Sequence, residues 1–227
     1  MALYVLSGAG LSAPSGLPTY RDSGGLWDRY AIERYATHEA WLERPDEVIA
    51  FFDRRRQELG RFAPNAAHRF FASLPDCTHL TQNVDDLCER AGDRPVHLHG
   101  MLTQVRCERC KKVWDIGYRP QPRICHFCSG KDVRPNVILF GEMAPAYRYL
   151  YTVKADIFIA VGTSGAVIDI ADIAQNYPVS ILIDPVRHRR RTMFGEFDEY
   201  LDEYFTHYIQ KGAVEAIEDL RILLKEL

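Results

Sequence analysis

Two sets of residues in this 227-residue chain have the types and spacing that chemistry requires. Cys107-x-x-Cys110 and Cys125-x-x-Cys128 stand 14 residues apart, close to the spacing of about 15–20 between the pairs of a four-thiolate zinc site. Each pair turns two sulfurs toward one tetrahedral ion, and four protein ligands leave no open position, so the metal is expected to be structural. Arg106, Arg109, Lys111 and Lys112 lie beside the thiolates and would offset their charge, while His126 is expected to be exposed rather than a ligand. A redox pair is the competing reading. The second set is Gly8-Ala9-Gly10-Leu11-Ser12-Ala13, directly after the apolar run Leu3–Leu6. Gly8, Gly10 and Ala13 satisfy the Gly-x-Gly-x-x-Gly/Ala spacing of dinucleotide sites, in which backbone N–H groups hold a pyrophosphate. Pro14, Gly16 and Pro18 forbid a regular helix straight after the turn. The reading is a phosphate turn followed by a long loop carrying Arg21, with a solvated surface loop as the alternative.

Elements able to position these groups follow from the apolar pattern. Leu3–Leu6, Cys77–Thr81, Pro95–Leu98, Val137–Phe140, Ile157–Val161 and Val179–Ile183 read as strands. Ile157–Val161 is apolar throughout, as suits a parallel strand buried on both faces. Helices are expected from Asp46, with Asp46 as cap; after Asn65, again a cap, with Ala66, Ala67, Phe70, Phe71 and Leu74 inward; over 86–91; over 145–155; near 167–175; and over 212–227. Arg54 and Arg56 are expected to face solvent, and Arg187–Arg191 to form a solvated basic loop. Alternating strands and helices predict an α/β fold with a doubly wound parallel sheet. Gly8–Ser12, Gln82–Asp85, His99, Gly162–Ser164 and Asp184 all fall just past strand ends. Ligands bind along that edge in such sheets.

A net charge of −3 gives no electrostatic reason to expect nucleic acid or an anionic membrane. No apolar run approaches the roughly 20 residues of a membrane helix, and the expectation is a soluble, cytoplasmic monomer. In that setting paired Cys-x-x-Cys motifs favour metal over disulfides.

Taken together, the blocks are similar to those of the sirtuin family. They are Gly8–Ser12, Gly-Leu-Pro-Thr-Tyr-Arg at 16–21, Thr-Gln-Asn-Val-Asp at 81–85, His99-Gly100, the four cysteines, Pro-Asn-Val-Ile-Leu-Phe-Gly-Glu at 135–142 and Gly-Thr-Ser at 162–164. The resemblance spans nearly the whole chain. It implies one catalytic unit: a Rossmann-like lobe of about residues 1–29, 77–104 and 136–227, and a smaller lobe of about 30–76 (helical) and 105–135 (zinc ribbon). It implies NAD as co-substrate and an acyl-lysine protein or peptide as substrate. Nicotinamide is released and the acyl group passes to ADP-ribose. His99 is then the general base, and Asn83 and Asp85 hold the nicotinamide ribose and carboxamide. Gly8, Ala9, Gly10, Ser12 and Ala13 take the pyrophosphate, with Thr19, Tyr20 and Arg21 on the closing loop. Gln82, Gly162, Thr163, Ser164, Asp184 and Ala213 complete the cofactor contacts. Val137, Phe140 and Gly141 would pair with the peptide as an added strand, with Phe140 lining the lysine tunnel. His97 is read as a hydrogen-bonded strand residue.

Departures from the family pattern bear on specificity. Tyr20 stands where the family has Phe; Leu182 and Asp184 replace Asn and Glu of an Asn-x-Glu block; and Ala166–Asp169 replaces a proline-containing stretch. Members that remove acidic acyl groups carry a Tyr-x-x-Arg pair, matched here by Phe52 and Arg55. Deacetylation is the expectation, with desuccinylation or demalonylation through Arg55 open. An NAD glycohydrolase or ADP-ribosyltransferase, or a zinc-containing NAD sensor, are the competing functions.

Overall fold

The computed structural model describes residues 1–19, 32–192 and 195–227. Tyr20 and Arg21 lie outside the described residues. In chain order the elements are β1 (Leu3–Ser7), two single 3-10 turns (Ala9–Leu11 and Ala13–Ser15), α1 (Ile32–Tyr35), α2 (His38–Glu43), α3 (Pro45–Leu59), α4 (Ala66–Ala72), β2 (Cys77–Thr81), α5 (Leu87–Arg90) and β3 (Val96–His97). Then come β4 (Gly100–Cys107), β5 (Val113–Asp115), β6 (Val133–Val137), a 3-10 turn (Pro145–Tyr149), β7 (Ile157–Val161), α6 (Ile170–Ala174), β8 (Val179–Ile183), β9 (Arg189–Thr192), β10 (Gly195–Tyr200), a last 3-10 turn (Leu201–Tyr204), β11 (His207–Ile209) and α7 (Ile217–Glu226).

Six strands form one parallel sheet in the order β11-β8-β7-β1-β2-β3. All five residues of β1 are buried, because alternate side chains enter opposite layers. Leu3 and Val5 join Ala67, Phe71, Ala216 and Leu220 beneath one face. Tyr4 and Leu6 join Phe158, Ile170, Ala174 and Leu201 on the other. The sheet is therefore covered by helices on both faces, and the connections leave β1 first toward β2 and later toward β7. That switch point places a crevice past the carboxyl end of β1.

β4, β5 and β6 form a separate antiparallel sheet around the cysteines. A third core cluster joins α3 to β4 and β6 through Val48, Phe51, Phe52, Leu59, Leu102 and Val137.

Several expectations are corrected. Helix α3 starts one residue earlier, with Pro45 at its first position and Arg44 as cap, and Asp46 sits in the first turn. Ala66 is exposed. Arg56 is not solvated: its side chain is fully buried, and its Nε donates to the Leu102 carbonyl at 2.7 Å while the guanidinium pairs with Asp53. The strand expected at 137–140 runs instead over 133–137 in the small sheet, antiparallel to β4. It is anchored by Arg134, which meets Glu142 at 2.5 Å. The helix expected over 145–155 shrinks to one 3-10 turn, and the last helix begins at Ile217. The basic run at 187–191 enters a β-hairpin rather than a solvated loop. Arg190 pairs with Asp169 at 2.6 Å and lies over the Tyr204 ring, and Arg187 pairs with Asp202 at 2.8 Å.

Candidate active site and zinc centre

At the carboxyl end of β1 the chain turns twice in 3-10 conformation, and the turn rests directly on the backbone that follows β7. Gly10 N–H donates to the Gly162 carbonyl at 2.9 Å. A Cβ on Gly10 would lie 2.5 Å from Gly162 Cα, so any side chain would force the two turns apart. The N–H groups of Gly8, Gly10 and Ser12 all donate to protein carbonyls, so they hold the turn itself together and are not spare donors. Among the described residues no partner reaches the Ala9 N–H.

Beneath this turn runs a hydrogen-bond chain whose proton positions can be deduced. The Asn65 N–H donates to His68 Nδ1 at 3.2 Å, so the ring proton sits on Nε2. Nε2 lies 3.3 Å from Ser12 Oγ. Burial pushes the His68 pKa down to about 4, which keeps the ring neutral. Asn83, itself buried, donates through Nδ2 to the Gly8 carbonyl at 3.0 Å and to Ser12 Oγ at 3.2 Å. Ser12 then has one proton left, and gives it to Asp85 Oδ2 at 3.0 Å. Burial raises the Asp85 pKa against the opposing pull of the Leu87 N–H and the Ser12 hydroxyl. Gln82 reaches over β1 to donate to Thr163 Oγ1 at 2.9 Å, tying the ends of β2 and β7 together.

His99 follows β3 and precedes β4. Its Nδ1 lies 2.9 Å from the Gln82 carbonyl. A carbonyl only accepts, so Nδ1 carries the proton and the neutral ring keeps a lone pair on Nε2. That lone pair receives the Tyr147 hydroxyl at 2.7 Å. Burial lowers the His99 pKa, opposed by the Gln82 carbonyl. The ring is therefore a neutral base around pH 7. Gly100 explains why glycine follows: its φ is +80°, and a Cβ there would lie 2.0 Å from the Asn136 carbonyl.

The remaining sequence candidates divide. Gly162, Thr163 and Ser164 lie at the crevice beside the Gly8 turn; Ala13 lies in the second 3-10 turn, and Thr19 closes the described part of the following loop. Asp184 is buried and held by its own turn, accepting from Val186 N–H at 2.9 Å and facing His188 Nε2 at 3.2 Å. Leu182 points into the core. Ala213 packs into the opposite core layer. Phe52 is buried in the third cluster, and Arg55, on the same helix, pairs with Glu58 at 3.0 Å. Val137 is buried and pairs with Gly100. Phe140 is 42% exposed, but its N–H donates to Ala36 and its carbonyl accepts from His38. The expectation that Phe140 offers a free backbone edge to a peptide is thus corrected, and exposed Gly141 is the neighbouring backbone position. Tyr147, His68 and Asn65 were not among the expected site residues. Asn65 showed only as a helix cap, and no spacing in the sequence marks Tyr147.

A Ser–His–Asp chain lies nearby: Ser7 Oγ meets His79 Nε2 at 2.8 Å, and His79 Nδ1 meets Asp93 at 2.5 Å. Ser7 is fully buried and donates to Thr81, so this chain clamps β1 to β2 and is closed to any substrate.

The cysteines fit zinc on geometry. Cys107 and Cys128 sulfurs are 3.7 Å apart, as are those of Cys110 and Cys125, and all four lie within 4.8 Å of one another. A tetrahedron with Zn–S near 2.3 Å has edges of about 3.8 Å. Both knuckles end alike: Lys111 and Ser129, each directly after the second cysteine of its pair, have φ of +59° and +56°. Each returns its N–H to the first cysteine's carbonyl at 2.8 Å.

A doubly wound parallel sheet with a neutral histidine among the polar groups at its carboxyl edge, and a four-cysteine sheet beside it, defines a nucleotide-binding enzyme with a structural zinc. The Sir2 family pattern matches residues 8–169. A protein of Campylobacter jejuni named NAD-dependent protein deacylase is 38% identical over 229 residues, covering 97% of this chain and 94% of its own. Two solved structures, an ADP-ribose complex of a Sir2 homologue variant and a Sir2 homologue–NAD complex, superpose with TM-scores of 0.84 and 0.80. Each is 33% identical and covers 99% of this chain; 92% and 90% of their own chains are covered. The chain belongs to the Sir2 family.

Proposed function

We infer that this protein is an NAD-dependent protein lysine deacylase in which His99 is the general base. NAD supplies the reactive glycosidic bond and the ribose hydroxyls; the protein holds these and moves protons around them. The observation that carries the reading is the fixed tautomer of His99. Gln82 holds the Nδ1 proton, so Nε2 presents its lone pair in the crevice where the sheet's connections diverge. A neutral imidazole there accepts a proton from a ribose hydroxyl and returns it later in the cycle. Asn83 and Asp85, locked through Ser12, form a preorganised polar wall for the nicotinamide ribose. The Ala9 amide and the Gly8–Gly10 backbone are the surface for the pyrophosphate, and Gln82, Thr163 and Ser164 extend toward the adenosine side. Arg21 and Tyr20 belong to the closing loop of this reading. The division into a sheet lobe and a zinc lobe is part of the same reading, with the acyl-lysine peptide laid along Gly141 beside Val137.

Acetyl is the proposed acyl group. Arg55 already meets Glu58, and Phe52 lacks a hydroxyl to share the grip on a second carboxylate, which removes a hydrogen bond worth roughly 0.5–1.5 kcal/mol. Mass spectrometry of the products formed from NAD and matched acetyl- and succinyl-lysine peptides tests the whole reading. The expected products are nicotinamide and O-acetyl-ADP-ribose, lost by at least about 100-fold in His99→Ala, as befits removal of a general base. Turnover surviving in that variant would show that the base is elsewhere. Nicotinamide released without any peptide would favour a glycohydrolase.

A further inference from the structure

The imidazole assigned as base is already occupied. Tyr147 Oη lies 2.7 Å from His99 Nε2, with ring centroids 5.7 Å apart. The tyrosine is held from behind. Its turn is closed by bonds from Tyr147 N–H to the Ala144 carbonyl and from Leu150 N–H to the Tyr147 carbonyl, each 3.0 Å. Its ring packs against the core cluster that contains Leu98, Leu150 and Phe158. Because Nδ1 donates to Gln82, the contact at Nε2 has one polarity: the phenol donates and the imidazole accepts.

An imidazole nitrogen has a single in-plane lone pair, and two donors cannot use it together. We propose that Tyr147 is a positioning residue that caps the base, occupying Nε2 of the tautomer that Gln82 fixes and yielding it only when a substrate hydroxyl arrives to replace it. This rests on the assignment of His99 as base, and it extends that assignment to a residue outside the motifs of the crevice. Among the described residues, the groups against the ring are the Gln82 carbonyl and the Tyr147 hydroxyl, neither of them charged. Two other ionisable groups of the site are engaged elsewhere: His97 with Glu89 and the Asn83 carbonyl, and Asp85 with Ser12 and the Leu87 N–H.

A donor on the lone pair favours the neutral ring, so removing it should raise the imidazole pKa. The test is Tyr147→Phe in the full chain, read first by NMR titration of the His99 ring nitrogens in the ligand-free protein. The expected result is an upward shift of about 0.4–1 pH unit, the equivalent of one neutral hydrogen bond. The acid limb of the kcat/KM profile for NAD should move by the same amount, and its upper plateau should rise about 2- to 10-fold because no bond has to be given up first. Tyr147→Met, which keeps an apolar side chain, should behave alike should the phenylalanine variant unfold. An unmoved titration in a folded variant overturns the proposal, as does a plateau that falls tenfold. A shifted titration with no turnover in wild type or variant leaves the cap standing and removes the deacylase reading instead.

Discussion

Arg56 shows how much one residue contributes to this architecture. Its guanidinium is shielded from water, joined to Asp53 within α3 and to the Leu102 carbonyl on β4. Asp53 in turn accepts the Gln121 N–H at 3.0 Å, so one ion pair links the helix, the small sheet and the loop between the cysteine pairs. Removing one member of a buried pair leaves the other's charge and a carbonyl without partners. Because Asp53 keeps some exposure, the cost should fall toward the lower part of the usual range. Arg56→Met is expected to destabilise by about 2–4 kcal/mol, measurable by urea denaturation. A change under about 0.5 kcal/mol would mean that the pair is merely tolerated. Neighbouring Arg54 is exposed, and nothing in the run Arg54-Arg55-Arg56 announces which arginine is buried. Helical phase could have suggested it, since Arg56 lies four residues after buried Phe52. A charge rarely wins such a position without a partner, and the partners lie 46 and more residues away in sequence for the carbonyl and the loop.

At the scale of elements, the small sheet depends on its metal. Its core is Val105, Ile116 and Val133 with the partly buried Trp114, packed with the cysteines themselves, too little apolar surface to hold three strands unaided. Chelating the zinc should lower the melting temperature by about 10 °C or more. Atomic absorption should find one zinc per chain. A metal-free protein that melts at the same temperature would reduce the cysteines to ordinary core residues. The cysteine spacing was readable because two chelating turns need little context. The strands β1, β7 and β8 are readable for a similar reason, since burial on both faces leaves nearly unbroken apolar runs. β6 was not: Val133-Arg134-Pro135-Asn136-Val137 reads as polar, and it becomes a strand because Arg134 finds Glu142 and Asn136 finds Gln104. The more apolar stretch after it forms a crossing rather than a strand. There Ile138 N–H donates to the His99 carbonyl and Phe140 to Ala36. The β9–β10 hairpin escaped notice because its arginines are satisfied by acids and aromatic rings from elsewhere in the fold, Asp169 among them. In the site itself, the residues at strand ends were legible as a set. The spent amides of the turn and the cap on His99 were not, because both depend on tertiary contacts.

For the whole molecule, His97 makes an assignable contribution to the pH dependence of stability above neutrality, where the lowered His68 and His99 are already neutral. Burial disfavours a charged His97, but the hydrogen bond and charge of Glu89, with the Asn83 carbonyl, outweigh it and raise the pKa above its ordinary value. The proton is thus bound more tightly in the folded state. The stabilisation is fully present below the unfolded pKa of about 6.5 and is lost as pH rises through the higher folded value. Melting temperature should therefore decline with pH above about 6.5. Glu89→Gln should flatten that part of the curve, and a variant that tracks the wild type would assign the decline to other groups.

The position of β1 has a consequence for biogenesis. This strand is synthesised before either of its neighbours in the finished sheet, Leu3 lying opposite Cys77 on one side and Ile157 on the other. One side of this buried strand can close on β2 early, but the other must wait, unpaired, until Ile157–Val161 has been made, and closure of so long a loop makes the search slow and exposed to misassociation. Nascent chains of this protein should therefore lean on chaperones until β7 has emerged to cover the open edge of β1.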